Sequence, residues 1–362
     1  MEAKTVETGL IDTHRTAGVG LGVFSGVVLP KGFSDFATEY RAGAATAALF
    51  DTGWHVVLVL TGRDRLSYLH NISSNDIRSL AEGRGTLALL LSPQGRILAE
   101  LEIYALPGRS LVLSHISHRE RTVATLRKYI IGSDVQIQDE SDQVGSLAVE
   151  GPQAEAVISE ICGVKIGPMP EMSIEEIHID GVPAYLLRRS HFGRLGAEFI
   201  TVREALPALW GKSLGVARAR DGEPIGMAAL EALRLEAGVA WFPADFNDGM
   251  IPHEAALENT HISFHKGCYT GQEIVERVRS RGHVNRRRVW LKFSTTWPPP
   301  AGTKLRARDA EVGFVTSSAF SPATGTAVGM GYVRREQLAP GSVIEFDGGQ
   351  AEVGESQLKI GS

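Results

Sequence analysis

Cysteine is nearly absent: the 362 residues hold two, Cys162 and Cys268. Two thiols exclude a disulfide scaffold and a zinc cluster built of cysteines alone. They suit a reducing compartment, and the chain is expected to work in the cytoplasm. A long apolar run is also missing. The most apolar early stretch, GVGLGVFSGVVLP at 18–30, falls well short of the ~20 residues that a bilayer-spanning helix needs, so no membrane partner is expected. Its glycines do not complete Gly-x-Gly-x-x-Gly, because Ser25 takes the last position. Positive charge is not in excess: 37 Lys and Arg stand against 42 Asp and Glu, a net charge of −5. That argues against a general nucleic-acid binder. Walker A and His-Glu-x-x-His do not occur. The histidines form no metal constellation: His115 and His118 lack a third ligand, and His253, His261 and His265 read as polar loop residues.

What is present is a globular mix, 43% hydrophobic and 22% charged, over a length that allows two or three domains. Residues 1–34 are Gly-rich and read as a peripheral segment. From about residue 35 short strands and helices alternate. HVVLVLTG (55–62) reads as a buried strand and RDRLSYLHNI (63–72) has helical spacing. Residues 86–106 are two apolar runs around SPQG, a hairpin signal. A similar cycle follows over 145–215. The pattern predicts an α+β protein of two related lobes, approximately 35–144 and 145–285. From Arg286 onward, short strands split by Gly and Pro predict a small β-barrel, with TTWPPPAGT (295–303) as a stiff turn between its first two strands.

The chemistry concentrates in 230–290. LEALRLEAG (230–238) reads as a helix stopped by Gly238, and burial statistics put its Glu236 on a solvated face. Thr270 to Glu273 fit a capping box, with Thr270 as N-cap and Glu273 at N3. Cys268 would then lie two residues before a helix N-terminus, with Lys266 and His265 beside it. Each feature favours a thiolate, while a lone cysteine reads equally as a small buried hydrophobe. Cys162, in ISEICGV, reads as structural. Six arginines between Arg277 and Arg288 read either as a solvated face or as an anion-binding rim.

IPHEAALENTHISFHKGCYTGQEIVERVRSRG resembles the signature of the YgfZ proteins, folate-binding relatives of the glycine-cleavage T-protein (aminomethyltransferase). The centre of that signature, Lys-Gly-Cys-Tyr-x-Gly-Gln-Glu, stands here as Lys266, Gly267, Cys268, Tyr269, Gly271, Gln272 and Glu273. LTGRDRLSYLHNISSNDI, VEGPQA, LRLEAG and EVGFVTSSAFSP agree in order, so the likeness covers roughly residues 35–350. It implies two α+β lobes and a β-barrel around a central folate pocket, with tetrahydrofolate or a derivative as cofactor. The Glu of Arg-x-Glu-x-Gly, here Glu236, would bind the pterin, and Arg234, Trp54 and Tyr269 would complete the folate site. Cys268 would be a nucleophile, a one-carbon acceptor or a thiol facing a cluster, activated by Lys266. The implied role is support of iron–sulfur cluster assembly or repair and, through such enzymes, tRNA modification. Folate and iron–sulfur enzymes or assembly proteins would be the partners of a monomer.

Two departures stand out. The aminomethyltransferases carry Asp-Asp where this chain has Ala99 and Glu100. Glu100 points to the opposite strand face from Ala99 and is not expected to replace the acid. Of two tryptophan positions that line folate in YgfZ proteins, one falls on His55 beside Trp54, the other on Leu230. A folate-dependent aminomethyl or methyl transferase and a non-enzymatic docking module using the barrel and Arg277–Arg288 are the alternatives. Whether the chain turns over a substrate does not follow from the sequence.

Overall fold

The computed structural model describes residues 5–354, the side chain of Arg281 excepted. The chain divides into two compact units. The first takes the residues up to Leu90, Ala99–Leu230 and His261–Tyr269; the second takes Leu91–Leu98, Glu231–Thr260 and the chain from Thr270.

The first unit is α+β and rests on two large sheets. One has five strands in the order Gly85–Leu91, Ile97–Leu106, Arg109–His115, His55–Thr61 and Gln136–Asp139. The other has six, in the order Ser173–Ile179, Val182–Arg188, Gly196–Val202, Val144–Glu150, Ala48–Asp51 and Glu223–Pro224. Val57, Tyr104 and Leu113 of the first pack with Ile174, Leu187 and Ile200 of the second in one apolar cluster. The near-continuous apolar runs belong to strands covered on both faces, by the other sheet on one side and on the other by the helices Arg65–Ile72 and Arg119–Lys128 or Ala154–Cys162 and Leu206–Arg218.

Two expectations are corrected here. The lobe boundary at 144/145 does not separate the sheets, because Ala48–Asp51 pairs antiparallel with Val144–Glu150. All four of its residues are buried, so it needs a strand on either side. The N-terminal segment is not peripheral. Val6–Glu7, Val27–Gly32 and Gly20–Phe24 form a small sheet, and Leu10 is fully buried in a core with Leu49 and Leu147. His14 Nε2 lies 2.9 Å from the buried Asp51.

In the second unit six strands close a barrel in the order Arg286–Phe293, Thr326–Arg334, Ala310–Ser321, Lys304–Ala307, Val343–Phe346 and Gly349–Gly354. Leu291, Phe293, Val315, Val333 and Ile344 fill it. The helix Met227–Glu236 ends in a left-handed turn at Gly238, φ +72°, where Val239 N donates to Arg234 O at 2.8 Å. Only glycine takes that φ without strain.

Arg234 and Glu236, expected at the folate, face the interior of this unit. Arg234 is fully buried. It donates in bidentate fashion to Glu231, at 2.9 and 2.7 Å, and to Asp245 at 2.7 Å and Val239 O at 3.0 Å. Trp241 lies 4.8 Å from the guanidinium. Asp245 also accepts from Thr316, Ser317 and the Trp241 amide, so the pair clasps the helix end to a barrel strand. Burial pushes the Asp245 carboxyl up, and Arg234 outweighs it and holds the group below its ordinary value. Glu236 is 1% exposed, not solvated, because the barrel turn covers it: Ser321 Oγ and Ala323 N donate to its carboxylate.

Removing one member of a buried, hydrogen-bonded ion pair strands the other. Arg234→Met is expected to lower the unfolding free energy of the whole chain by about 3 kcal/mol, measured by urea denaturation. A loss under about 0.5 kcal/mol, the range of surface substitutions, would show that the clasp is not structural.

Candidate functional site

Seven carboxylates are buried among the described residues: Glu39, Asp51, Glu102, Glu150, Glu198, Glu236 and Asp245. Five accept a backbone N–H. Glu39 takes those of Phe33, Ser34 and Gly226, Asp51 that of Gly53, and Glu150 those of His191, Phe192 and Arg194. Glu236 takes that of Ala323 and Asp245 that of Trp241. Such bonds tie the carboxylate to the main chain, which yields less readily than a side chain. Glu102 and Glu198 differ. Their partners are side chains, which can rotate away and leave the carboxylate to a ligand.

Glu198 lies on Gly196–Val202, in the middle of the six-stranded sheet, and Glu102 on Ile97–Leu106 of the five-stranded one. Thr52 Oγ1 donates to Glu198 Oε1 at 2.8 Å, and His55 Nε2 stands 2.9 Å from the same oxygen. His191 Nε2 is 3.2 Å from Glu198 Oε2. Arg189 lies between the acids, 2.5 Å from Glu102 Oε1 and 3.6 Å from Glu198 Oε2. Tyr104 OH donates to Glu102 at 3.3 Å. Trp54, half-buried, meets His191 edge to face at 5.7 Å and His55 at 5.9 Å. Trp54 is thus the one expected folate residue that the structure brings to this cluster.

Glu100 shares its strand face with Glu102, two residues on. Its Oε1 stands 2.9 Å from His261 Nε2, and the carboxylate keeps 23% of its surface exposed. The His261 carbonyl accepts from Ser74 Oγ, and Ser263 N donates to Ser74 O, which fixes the loop that carries the histidine. His261 is thus a loop residue, as its sequence context suggested, but a buried one held against Glu100.

The electrostatics follow from burial. Burial pushes Glu198 up, yet His55 and His191 outweigh it and hold the group well below its ordinary value. Glu102 goes the other way: burial raises it, and Arg189 only partly offsets the rise. Burial pushes His191 down to about 4 and His115, the cross-strand neighbour of His55, down to about 3.

The Lys266–Glu273 motif is built differently from the capping box expected of it. The N-cap of the helix Gln272–Arg281 is Gly271, at φ +83° and without a side-chain cap. A Cβ on Gly271 would meet Ser92 O at 2.6 Å, so close approach to the hairpin turn sets the residue and removes Thr270 from the capping position. Glu273 instead pairs with Arg277 at 2.6 Å. Gly267 has open space around it. Cys268 is exposed, so the reading of it as a buried hydrophobe falls. Lys266 does not point its charge at solvent. Its ammonium donates to the carbonyls of His70 and Ser73, at the end of the helix Arg65–Ile72, and lies 4.9 Å from the Tyr269 ring. Burial pushes it down to about 8. Tyr269 is buried. The arginine rim is divided: Arg277 and Arg279 are exposed, whereas Arg286 pairs with Glu254, Arg287 with Glu258, and Arg288 Nε donates to Ala255 O. Cys162 Sγ lies 3.2 Å from Ile158 O and is raised by burial.

Residues 10–266 match the family described as the GCVT N-terminal domain, and residues 286–353 match the glycine cleavage T-protein C-terminal barrel domain. The chain belongs to the glycine cleavage T-protein family. It is 27% identical to an aminomethyltransferase of Bacillus subtilis (strain 168) over 342 residues, 94% of either chain. Against an aminomethyltransferase of Geobacillus kaustophilus (strain HTA426) it is 29% identical, covering 94% of this chain and 93% of the relative. The crystal structure of the glycine cleavage system aminomethyltransferase T from Bartonella henselae superposes with a TM-score of 0.88, at 26% identity over 97% of both chains. The T-protein architecture that the motifs imply, α+β with a closed barrel, is therefore present. No helix among the described residues is long and apolar enough to cross a membrane, and no group of three or more His, Cys, Asp and Glu there could hold a metal ion.

Against this T-protein frame, the sequence motifs missed Glu102, Arg189, His191 and Glu198. The available signal was charge inside apolar strands, as in ILAELEIYAL and GAEFIT. For His191 the pH sign is definite. Its folded value lies below the ordinary ~6.5, so the unfolded chain binds more protons below that pH and stability falls as pH drops from about 6.5 towards 4. Glu198 extends the loss at lower pH, while the raised Glu102 opposes it. His191→Gln, which keeps a donor, is expected to reduce the stability lost between pH 7 and 5 by about 2 kcal/mol in chemical denaturation. An unchanged slope would show that His191 is not shielded in the folded state.

Proposed function

We propose that this chain binds a tetrahydrofolate at the Glu102–Glu198 cluster and serves one-carbon transfer of the aminomethyltransferase type. The observation that carries the reading is Glu198: a buried, ionised carboxylate whose partners are all side chains. A pterin presents a planar edge of N–H donors, which a carboxylate accepts in a bidentate manner. In a dry site such a pair is stronger than in water. Trp54 and His191 offer ring surfaces beside it. Glu236 is tied to the barrel instead, since Ser321 and Ala323 both donate to its Oε1. The names of the full-length relatives support transfer of an aminomethyl group.

Tetrahydrofolate, when bound, supplies the amine nitrogens that take up the one-carbon unit. What the protein must add is binding, exclusion of water and a proton carrier. Burial of the cluster serves the first two. Glu100 serves the third: partly exposed, it can reach a substrate, and His261 orients it. It takes the role despite the Ala99 departure because its face is the one that carries Glu102. The test is turnover by pure, reduced protein given tetrahydrofolate and an aminomethyl thioether donor. The expected products are methylenetetrahydrofolate, ammonia and the free thiol, and Glu100→Gln should lower kcat about 100-fold or more with little change in KM. No turnover by the wild type would remove the transferase reading.

A second reading draws on Cys268, exposed within a contiguous Lys-Gly-Cys-Tyr-x-Gly-Gln-Glu segment, and on the buried Ala99. It is the YgfZ-like role in support of iron–sulfur enzymes. One exposed thiol is too few for a Cys₄-ligated cluster, so the chain would act on a cluster held elsewhere. Under this reading Cys268→Ser abolishes complementation of a YgfZ-deficient strain and leaves tetrahydrofolate binding intact. Full complementation by the serine variant would exclude it.

A further inference from the structure

Arg189 and Arg234 are two arginines beside buried carboxylates, held in opposite ways. Arg234 makes four hydrogen bonds, two of them bidentate. Arg189 is charge-paired at 2.5 Å with Glu102 and at 3.6 Å with Glu198, yet neither contact has hydrogen-bond geometry. Its buried Nε and NH1 find no well-directed acceptor among the described residues. An ion pair held by proximity alone, with its donors unspent, is a weak one. The backbone around it is not loose. Glu150 accepts from Ser190 Oγ and from the amides of His191, Phe192 and Arg194. The main chain is fixed and the long side chain alone can change partners.

We infer that Arg189 is an internal occupant of the ligand's place on Glu198 and sets which ligands can enter. The inference rests on the folate reading above. A guanidinium and the amino-and-ring N–H edge of a pterin are the same planar arrangement of donors about one carbon, so both compete for one carboxylate. Glu102 explains why a second acid is buried there. When a ligand takes Glu198, Arg189 keeps its charge compensated at Glu102, its nearer partner. The device admits ligands with a strong planar donor edge. It favours them over ligands that present a carbonyl or no edge at all, which neither displace the arginine nor gain from its removal.

The experiment is calorimetric titration of the full chain and of Arg189→Met with tetrahydrofolate and with p-aminobenzoylglutamate, which shares the tail but lacks the pterin. Freed of its competitor, Arg189→Met is expected to bind tetrahydrofolate about tenfold tighter, because the competent state no longer has to be selected. Binding of p-aminobenzoylglutamate should not change between the two proteins. If Arg189→Met does not unfold cooperatively on heating, the double variant Glu102→Gln/Arg189→Gln neutralises both partners and should show the same gain. Equal or weaker tetrahydrofolate binding by a folded variant overturns the proposal while the wild type's binding keeps the folate reading. Failure of both variants to fold makes Arg189 a structural counter-ion and also overturns it. Absence of binding by wild type and variants alike removes the folate reading, and this proposal with it.

Discussion

A buried carboxylate must be compensated, and around Glu198 side chains alone do it: Thr52 donates a hydrogen bond, and His55, His191 and Arg189 stand as charge partners. That constraint organises the first unit. Thr52 and His55 come from the turn and strand after Ala48–Asp51, His191 and Arg189 from the turn after Val182–Arg188. Each must arrive at the same point, so the two sheets have to face one another in one register. A one-residue slip in any of these strands would turn a donor into the apolar cluster and leave an unpaired charge. The unusual place of Ala48–Asp51, in the sheet of the later strands, follows from the same need: it delivers Thr52 and His55 to Glu198.

The second unit solves the problem of buried charge differently. Arg234 and Asp245 use the backbone of Trp241 and Val239 and two hydroxyls of a barrel strand. Two of the bonds fix main-chain segments and the others tie helix to barrel strand, and the pair reads as architecture. The first-unit cluster instead leaves donors unspent and one acid, Glu102, pushed up by burial. Native proteins leave polar groups poorly satisfied in few places, and function is the usual reason. The contrast within one chain is what separates a structural arginine from one that can give way.

Much of the fold was legible. Apolar runs bounded by Gly and Pro marked His55–Thr61, the 86–106 hairpin and the barrel strands, and the motifs marked the T-protein family. The candidate site was legible only at Trp54 and His55. Glu236 and Arg234 sit in a recognisable helix segment, but whether such a helix turns its charges towards a ligand or a barrel turn depends on strands some eighty residues later. Glu100 and His261 are 161 residues apart, and no local pattern joins them. Glu198 sits in an apolar strand where burial statistics expect no charge. That oddity is itself the signal, whereas the Lys266 ammonium and Gly271 of the cysteine motif cap a helix and pack a turn.

One-carbon transfer to a folate thus depends on where the pterin edge is received. The most direct measurement is tetrahydrofolate titration of Glu198→Gln and Glu236→Gln side by side. Each amide keeps the shape and one acceptor of its carboxylate. The account predicts that Glu198→Gln abolishes binding and that Glu236→Gln binds as the wild type does. Binding kept in Glu198→Gln and lost in Glu236→Gln would contradict it.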